Sequence, residues 1–325
     1  MTDNSKMAAK VVSGKPVRAP RLASRPARRR LRSRPPTLLE QASNNASRAP
    51  ADNGPMSPHL KTPVKAPGPL LLLAETRAPW EYAATLAAAP WLSRTPAGDG
   101  HPVVVFPGLG ASDITTAPMR RFLRHRGYTV YAWQQGCNFG PRQGVLDACR
   151  SLVQQAYQRH REKVSLVGWS LGGLYARELA KELPELARCV VTMGTPFAGH
   201  PRANNAWRFY QLVSGHTVHD PMLIEQIRKP PACPTTSIYS KSDGIVAWQC
   251  SINEPAPNTE NIEIHASHVG MGLNPLALYA LADRLAQNPQ SWQRFDSSTA
   301  GSASRLRRWL FKPSAASVSA TAAAA

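Results

Sequence analysis

Apolar runs alternate with amphipathic stretches from about residue 69 to about residue 286. Runs such as Val103-Val104-Val105-Phe106 lack a polar residue at every second position, which is typical of parallel strands buried on both faces. Helical stretches between such runs indicate βαβ units. The predicted strands are Pro102–Phe106, Tyr128–Ala132, Val164–Val167, Cys189–Met193, Thr236–Tyr239 and Ile262–His265. The predicted helices are Thr116–Arg126, Arg142–Arg159, Leu171–Glu182 and Pro275–Ala286, with a further helical stretch at about Asn204–Lys229.

This order of elements predicts an α/β fold, with about six strands in a mostly parallel sheet and helices on both faces. We expect one domain at residues 69–286, with a small helical cap inserted at about 200–232. Residues 70–92, rich in Leu and Ala, are expected to form a helix broken near Pro79. The flanking segments, 1–68 and 287–325, are predicted to be tails of low complexity.

Composition and charge narrow the class of protein. Five cysteines in 325 residues exclude a fold framed by disulfides. No apolar run approaches the roughly 18 residues that a membrane-spanning helix needs. The net charge is +19, and most of the excess lies in residues 1–68, which are rich in Pro and Arg. That segment is predicted to be disordered, so its charge says little about the fold.

The basic N-terminal tail allows weak contact with an anionic membrane or a nucleic acid. A second basic and aromatic piece, residues 305–312, either meets a membrane surface or packs on the domain. Neither tail contains a convincing signal peptide. The sequence therefore predicts a cytoplasmic protein, and association with a membrane surface remains open. No required protein partner is expected.

The third predicted strand runs into Gly168-Trp169-Ser170-Leu171-Gly172-Gly173, and a helix follows at once. G-x-S-x-G between a strand and a helix is the pattern of a nucleophilic serine on a sharp turn. Glycines flank the serine because side chains there would collide with the neighbouring strand and helix. The N–H of Leu171 then faces an oxyanion, and the N–H of Leu109, after the first strand, is the expected second donor. The alternative is that Ser170 only caps the helix.

A serine nucleophile needs a base and a group that orients the base. Chain order on such a sheet is serine, acid, histidine. Asp243 follows the fifth strand and His268 follows the sixth, which predicts a Ser170–His268–Asp243 triad. Other candidates remain open and are His265 as the base, His219 and Asp220 in the insert, His200 beside the cleft, and Asp243 as a plain turn residue. Cys233 and Cys250 are either paired or free, and no cluster has the spacing of a metal site, so neither a metal nor a cofactor is expected.

Three segments resemble the α/β-hydrolase superfamily, and within it the bacterial lipases and esterases. They are Val105–Gly110, Gly168–Gly173 and Met193-Gly194-Thr195-Pro196-Phe197-Ala198-Gly199. Pro107 stands where many lipases have a histidine, and Trp169 where histidine or tyrosine is commoner. Neither difference removes a backbone donor.

The resemblance implies a serine hydrolase that cleaves carboxylic esters through an acyl-enzyme. Apolar residues in the insert, among them Trp207, Phe209 and Leu212, favour a small-molecule substrate with an acyl or lipid-like group. Two other functions remain open. One is an acyltransferase, in which the acyl-enzyme passes its acyl group to an alcohol or amine. The other is a non-catalytic protein that binds an anionic surface.

Overall fold

A parallel sheet forms the centre of the computed structural model, which describes residues 64–199, 203–205, 221–295 and 310–311. All of the described residues lie in one compact unit. The strands are β1 (Pro102–Phe106), β2 (Thr129–Ala132), β3 (Val164–Trp169), β4 (Ala187–Met193), β5 (Thr235–Tyr239) and β6 (Thr259–Glu263). Their order across the sheet is β2-β1-β3-β4-β5-β6, and every neighbouring pair is parallel. The predicted α/β fold class is confirmed.

Helices connect the strands, and two of the described helices begin at a residue whose side chain caps them. Ser112 caps one helix by accepting a hydrogen bond from the N–H of Ile114. Asn274 caps another in the same way, and Pro275 fills its first position. The helices are α1 (Pro69–Leu73), α2 (Ala78–Ala87), α3 (Ala89–Leu92), α4 (Asp113–His125), α5 (Val145–His160), α6 (Leu171–Glu182), α7 (Pro221–Arg228) and α8 (Pro275–Leu285).

Two apolar cores cover the two faces of the sheet. Val103 and Val105 of β1 pack into one core with residues of α4 and α8. Val104 and Phe106 of the same strand pack into the other core with residues of α5 and α6. Successive side chains of a strand point to opposite faces, so a strand covered on both faces must be apolar at every position. All five residues of β1 are buried, as the uninterrupted apolar run predicted.

The edge strand β6 differs from its predicted position, because it starts at Thr259 and ends before His265. The strand contains Glu260. In the fold, the Glu260 carboxylate is buried and accepts hydrogen bonds from Arg284 of α8. A partner distant in sequence therefore compensates the buried charge, and local patterning does not show this.

The segment before β1 is helical but divided, as Pro79 suggested. A 3₁₀ turn at Ala74–Arg77 separates α1 from α2, and Pro79 lies in the first turn of α2. Proline suits that position because the first helical N–H groups have no partner within the helix. The segment reverses the usual pattern of burial, since the charged Glu75 is buried while the apolar Leu70 and Trp80 are largely exposed.

After α8 the described chain continues along the β6 edge. Arg294 donates to the carbonyl oxygen of Thr259, and the Phe311 ring is buried against Tyr279 and Phe295. Residues 1–63 and most of the 200–232 insert lie outside the described residues. Among the helices that are described, none is both long and apolar enough to cross a membrane.

Candidate active site

Ser170 sits on a strained turn between β3 and α6. Its φ is 53° and its ψ is −125°, a conformation that residues with a side chain rarely adopt. A Cβ on Gly172 would lie 2.2 Å from the carbonyl oxygen of Phe106, and one on Gly168 would lie 2.3 Å from the Cα of Gly173. The flanking glycines thus let the turn approach both strand and helix, as the motif predicted.

A chain of hydrogen bonds joins the three residues that the sequence proposed for the triad. The Oγ of Ser170 is 2.9 Å from Nε2 of His268, and Nδ1 of the same ring is 2.7 Å from Oδ2 of Asp243. Asp243 and His268 are buried, whereas Ser170 is partly exposed. The three residues follow β3, β5 and β6, so they meet at the carboxyl edge of the sheet, where ligands bind in such folds.

The loop after β5 fixes the orientation of the Asp243 carboxylate. Oδ1 accepts the backbone N–H groups of Ile245 and Val246 at 2.8 Å and 2.7 Å, which leaves Oδ2 for the imidazole. Behind the pair stands Gly194, with φ of 56°. A Cβ there would lie 3.0 Å from Nδ1 of His268 and 3.2 Å from Oδ2 of Asp243, so this position leaves little room for a side chain.

The surroundings of His268 favour its protonated form. Burial of the ring alone would lower the pKa of His268. The charge of Asp243, the hydrogen bond to its carboxylate and the charge of Glu75 outweigh burial, and the pKa of His268 is raised. A base with a raised pKa holds an accepted proton more strongly, which is what a serine nucleophile needs from its neighbour.

The loop after β1 lies beside the serine turn. A Cβ on Gly108 would lie 3.1 Å from the Cβ of Ser170, so the two loops are in close contact. Neither the N–H of Leu109 nor that of Leu171 donates to another residue in the described ranges. Asn138, which is fully buried, holds this loop by donating to the carbonyl oxygen of Pro107 at 2.7 Å and by accepting from the N–H of Gly110.

A sequence profile of the alpha/beta hydrolase family matches residues 103–319. This range spans more than half of the chain and contains the serine turn, the acid loop and the histidine loop. The chain belongs to the alpha/beta hydrolase family. A search of curated proteins found no match to this alpha/beta hydrolase.

Solved structures similar to this alpha/beta hydrolase include lipases. Aspergillus fumigatus lipase B is 16% identical with a TM-score of 0.47, and the alignment covers 78% of this chain and 65% of that one. An alpha/beta superfamily hydrolase from Oenococcus oeni is 16% identical with a TM-score of 0.44, covering 60% and 94%. The monoacylglycerol lipase of Paleococcus ferrophilus is 17% identical with a TM-score of 0.41, covering 58% and 96%. The family assignment rests on the profile match, to which these low scores add nothing.

The other candidates from the sequence lie apart from this arrangement or outside the described residues. The His265 side chain is exposed, and His268 instead meets the serine. His200, His219 and Asp220 fall outside the described residues. Cys233 and Cys250 are free thiols, and burial raises the pKa of each to about 12, so neither is a reactive thiolate at neutral pH.

Two features of this alpha/beta hydrolase escape sequence reasoning. Trp169, beside Ser170, donates from Nε1 to the carbonyl oxygen of His268 at 3.0 Å and so ties the serine turn to the histidine loop. Near the amino ends of β1 and β3, away from Ser170, His101 contacts Asp99 through Nδ1 and Ser165 through Nε2. Ser165 is fully buried within β3, so this second arrangement offers no hydroxyl to a substrate.

Proposed function

We propose that this alpha/beta hydrolase cleaves carboxylic esters through an acyl-enzyme, with Ser170 as nucleophile, His268 as base and Asp243 as the group that orients the base. One observation carries the proposal. Ser170, His268 and Asp243 form a continuous hydrogen-bonded chain with distances of 2.9 Å and 2.7 Å, and its serine is on a strained turn that is partly exposed. Nucleophile, base and orienting carboxylate in hydrogen-bond reach are the parts that acyl transfer to serine requires.

The proposed reaction has two halves. Oγ of Ser170 attacks the ester carbonyl carbon while Nε2 of His268 takes the hydroxyl proton, and the N–H groups of Leu109 and Leu171 stabilise the negative oxygen. The tetrahedral intermediate then expels the alcohol, which leaves with the proton from His268. Water attacks the acyl-enzyme with His268 as base again, and the carboxylic acid departs as Oγ regains its proton.

The proposed substrate carries an apolar acyl group. Val269, directly after the base, and Ile114, in the first turn of α4 after the Leu109 loop, are exposed apolar side chains. Val269 lies in the histidine loop and Ile114 follows the Leu109 loop, so both are exposed apolar side chains next to proposed site residues. An ester series of increasing acyl length measures the preference directly.

The first test is labelling of the purified protein with a fluorophosphonate, together with turnover of p-nitrophenyl esters. Ser170→Ala is compared with Ser93→Ala, whose exposed hydroxyl only contacts the carbonyl oxygen of Pro90. We expect labelling and turnover in the parent protein and in Ser93→Ala, and a loss of about 10⁴-fold or more in kcat for Ser170→Ala. No labelling of a folded parent protein would overturn the proposal and favour a binding role.

The same assay separates hydrolysis from acyl transfer. Alcohols and amines are added as competing nucleophiles, and the products are analysed. Free acid as the main product supports ester hydrolysis. An ester or amide formed at the expense of the acid would identify an acyltransferase that uses the same acyl-enzyme.

A further inference from the structure

Glu75 is a buried carboxylate that the proposed reaction does not use. It lies in the 3₁₀ turn between α1 and α2, and only 8% of the residue is exposed. The family match begins at residue 103, so Glu75 stands before the matched range. A buried carboxylate needs partners that repay its desolvation, and its partners indicate its role.

All three partners of the Glu75 carboxylate are backbone N–H groups of the acid and histidine loops. Oε1 accepts from Gly244, the residue after Asp243, at 2.7 Å, and from His268 itself at 2.9 Å. Oε2 accepts from Val269 at 2.8 Å. A single oxygen atom therefore joins the loop of the acid to the loop of the base.

We infer that Glu75 is a positioning residue, whose carboxylate ties the loop of Asp243 to the loop of His268 and holds the two side chains at hydrogen-bond distance. This role rests on the proposed function. The acid and base approach from two different strands, and a displacement of about 1 Å between catalytic groups costs on the order of 100-fold in rate. Charge-assisted hydrogen bonds to backbone N–H groups are strong enough to fix both loops.

The packing of the N-terminal segment fits this role. A Cβ on Gly244 would lie 2.2 Å from the carbonyl oxygen of Leu71, so the segment rests directly on the acid loop. Arg77 donates to the carbonyl oxygen and hydroxyl of Ser242 at 2.9 Å in the same loop. Glu81 accepts from the N–H of Ser267, next to the base, at 2.6 Å. The described part of this segment thus contacts both loops, and Oε1 of Glu75 is an atom of it that accepts from both.

Glu75 also acts on the base through its charge. The charged groups that act on His268 are Asp243 and Glu75, and both raise its pKa against the effect of burial. Arg77 and Glu81 meet the neighbouring residues of the same loops and pair with each other at 3.1 Å. Removal of the Glu75 charge is therefore expected to lower the pKa of His268 and to move the acidic limb of kcat/KM to lower pH.

The test compares Glu75→Gln and Glu75→Asp with a matched control. Glu75→Gln keeps one acceptor oxygen but loses the charge and turns an amide NH₂ toward a backbone donor. We expect kcat to fall about 10- to 100-fold with little change in KM, and the acidic limb to move to lower pH. Glu75→Asp keeps the charge on a shorter side chain, so kcat is expected to fall while the limb stays in place.

Glu178→Gln is the control, because Glu178 is also 8% exposed but contacts Lys181 rather than the two loops. Thermal unfolding of each variant checks that it folds. If Glu75→Gln does not fold, the kcat of Glu75→Asp tests the inference in its place. The inference is overturned if the kcat of Glu75→Gln and the acidic limb of its kcat/KM profile match those of the parent protein. It is overturned as well if kcat falls as far in Glu178→Gln as in Glu75→Gln. It is also overturned if Glu75→Asp keeps the kcat of the parent protein.

A titration of the His268 ring by NMR separates this inference from the proposed function. It needs no turnover, so it reports on Glu75 even if the folded parent protein neither reacts with a fluorophosphonate nor cleaves an ester. A lower pKa of His268 in Glu75→Gln than in the parent protein supports the inference. An unchanged ring titration overturns it, whatever the activity assay shows.

Discussion

Replacement of Asp243 by asparagine should remove the base function without unfolding the loop. In the native loop, Oδ1 of Asp243 accepts from Ile245 and Val246, and Oδ2 faces Nδ1 of His268. In Asp243→Asn the amide oxygen must stay on the two N–H groups, because only an acceptor fits there. The amide NH₂ then faces Nδ1, which has to become an acceptor. The ring proton moves to Nε2, and a protonated Nε2 donates to Ser170 instead of taking its proton.

The size of this effect follows from the tautomer. A triad in which the orienting carboxylate becomes an amide loses on the order of 10⁴ in kcat. At about 1.36 kcal/mol for each tenfold change, this corresponds to roughly 5.4 kcal/mol of activation free energy. The free energy of unfolding should change far less, by about 1 to 2 kcal/mol, because both backbone hydrogen bonds of the loop persist.

Steady-state hydrolysis of a p-nitrophenyl ester and thermal unfolding measure the two quantities side by side. Asp99→Asn is the matched control, since it removes the carboxylate from the second aspartate–histidine pair, near the amino ends of β1 and β3. We expect the control to keep the kcat of the parent protein. If a folded Asp243→Asn retained more than about a tenth of that kcat, Asp243 would not be selecting the tautomer of His268, and the reasoning would fail.

Three further predictions concern the turn, the oxyanion loop and pH. Gly172→Ala should destabilise the fold by about 3 kcal/mol, because its Cβ meets the Phe106 carbonyl. Gly68→Ala is the control, since a Cβ there has open space, and equal melting temperatures of the two variants would contradict the prediction. Asn138→Ala should lower kcat about 10- to 100-fold in ester hydrolysis with KM little changed, and an unchanged kcat would remove Asn138 from the oxyanion loop's support. The acidic limb of kcat/KM should lie above the ordinary histidine value of 6.5, because the pKa of His268 is raised. A limb below 6.5 would contradict the raised pKa of His268.

Much of the fold could be predicted because its signals are local. An uninterrupted apolar run such as Val103–Phe106 needs no knowledge of its neighbours to indicate a strand covered on both faces. The flanking glycines alone predict Ser170 as a nucleophile, and α6 begins at Leu171 as predicted. The prediction of Asp243 as the acid and His268 as the base required only the order of strands along the chain, because parallel strands bring their carboxyl ends to one edge.

Other features depend on partners far along the chain, and the sequence did not indicate them. The buried Glu260 carboxylate is paired with Arg284, which is 24 residues away. Glu75 lies 193 residues from His268, and no motif joins them. Asn138 resembles any polar loop residue until its contact with Pro107 is known. A polar side chain becomes part of a site through its hydrogen-bond partners, and single-sequence patterning carries no information about partners in other segments.

The segment from Pro69 to Leu92 bears on where this domain should be cut, swapped or recombined. A boundary drawn at residue 103, where the family match begins, would keep the serine, the acid and the histidine. It would discard Glu75, Arg77 and Glu81, and so leave four backbone N–H groups and one carbonyl of the acid and histidine loops without their present partners. A chimaera built on the matched range should therefore fold its sheet yet carry a loosened acid–base pair. A recombined domain that keeps the proposed acid–base pair in place has to contain the segment from Pro69 to Leu92 together with the two loops.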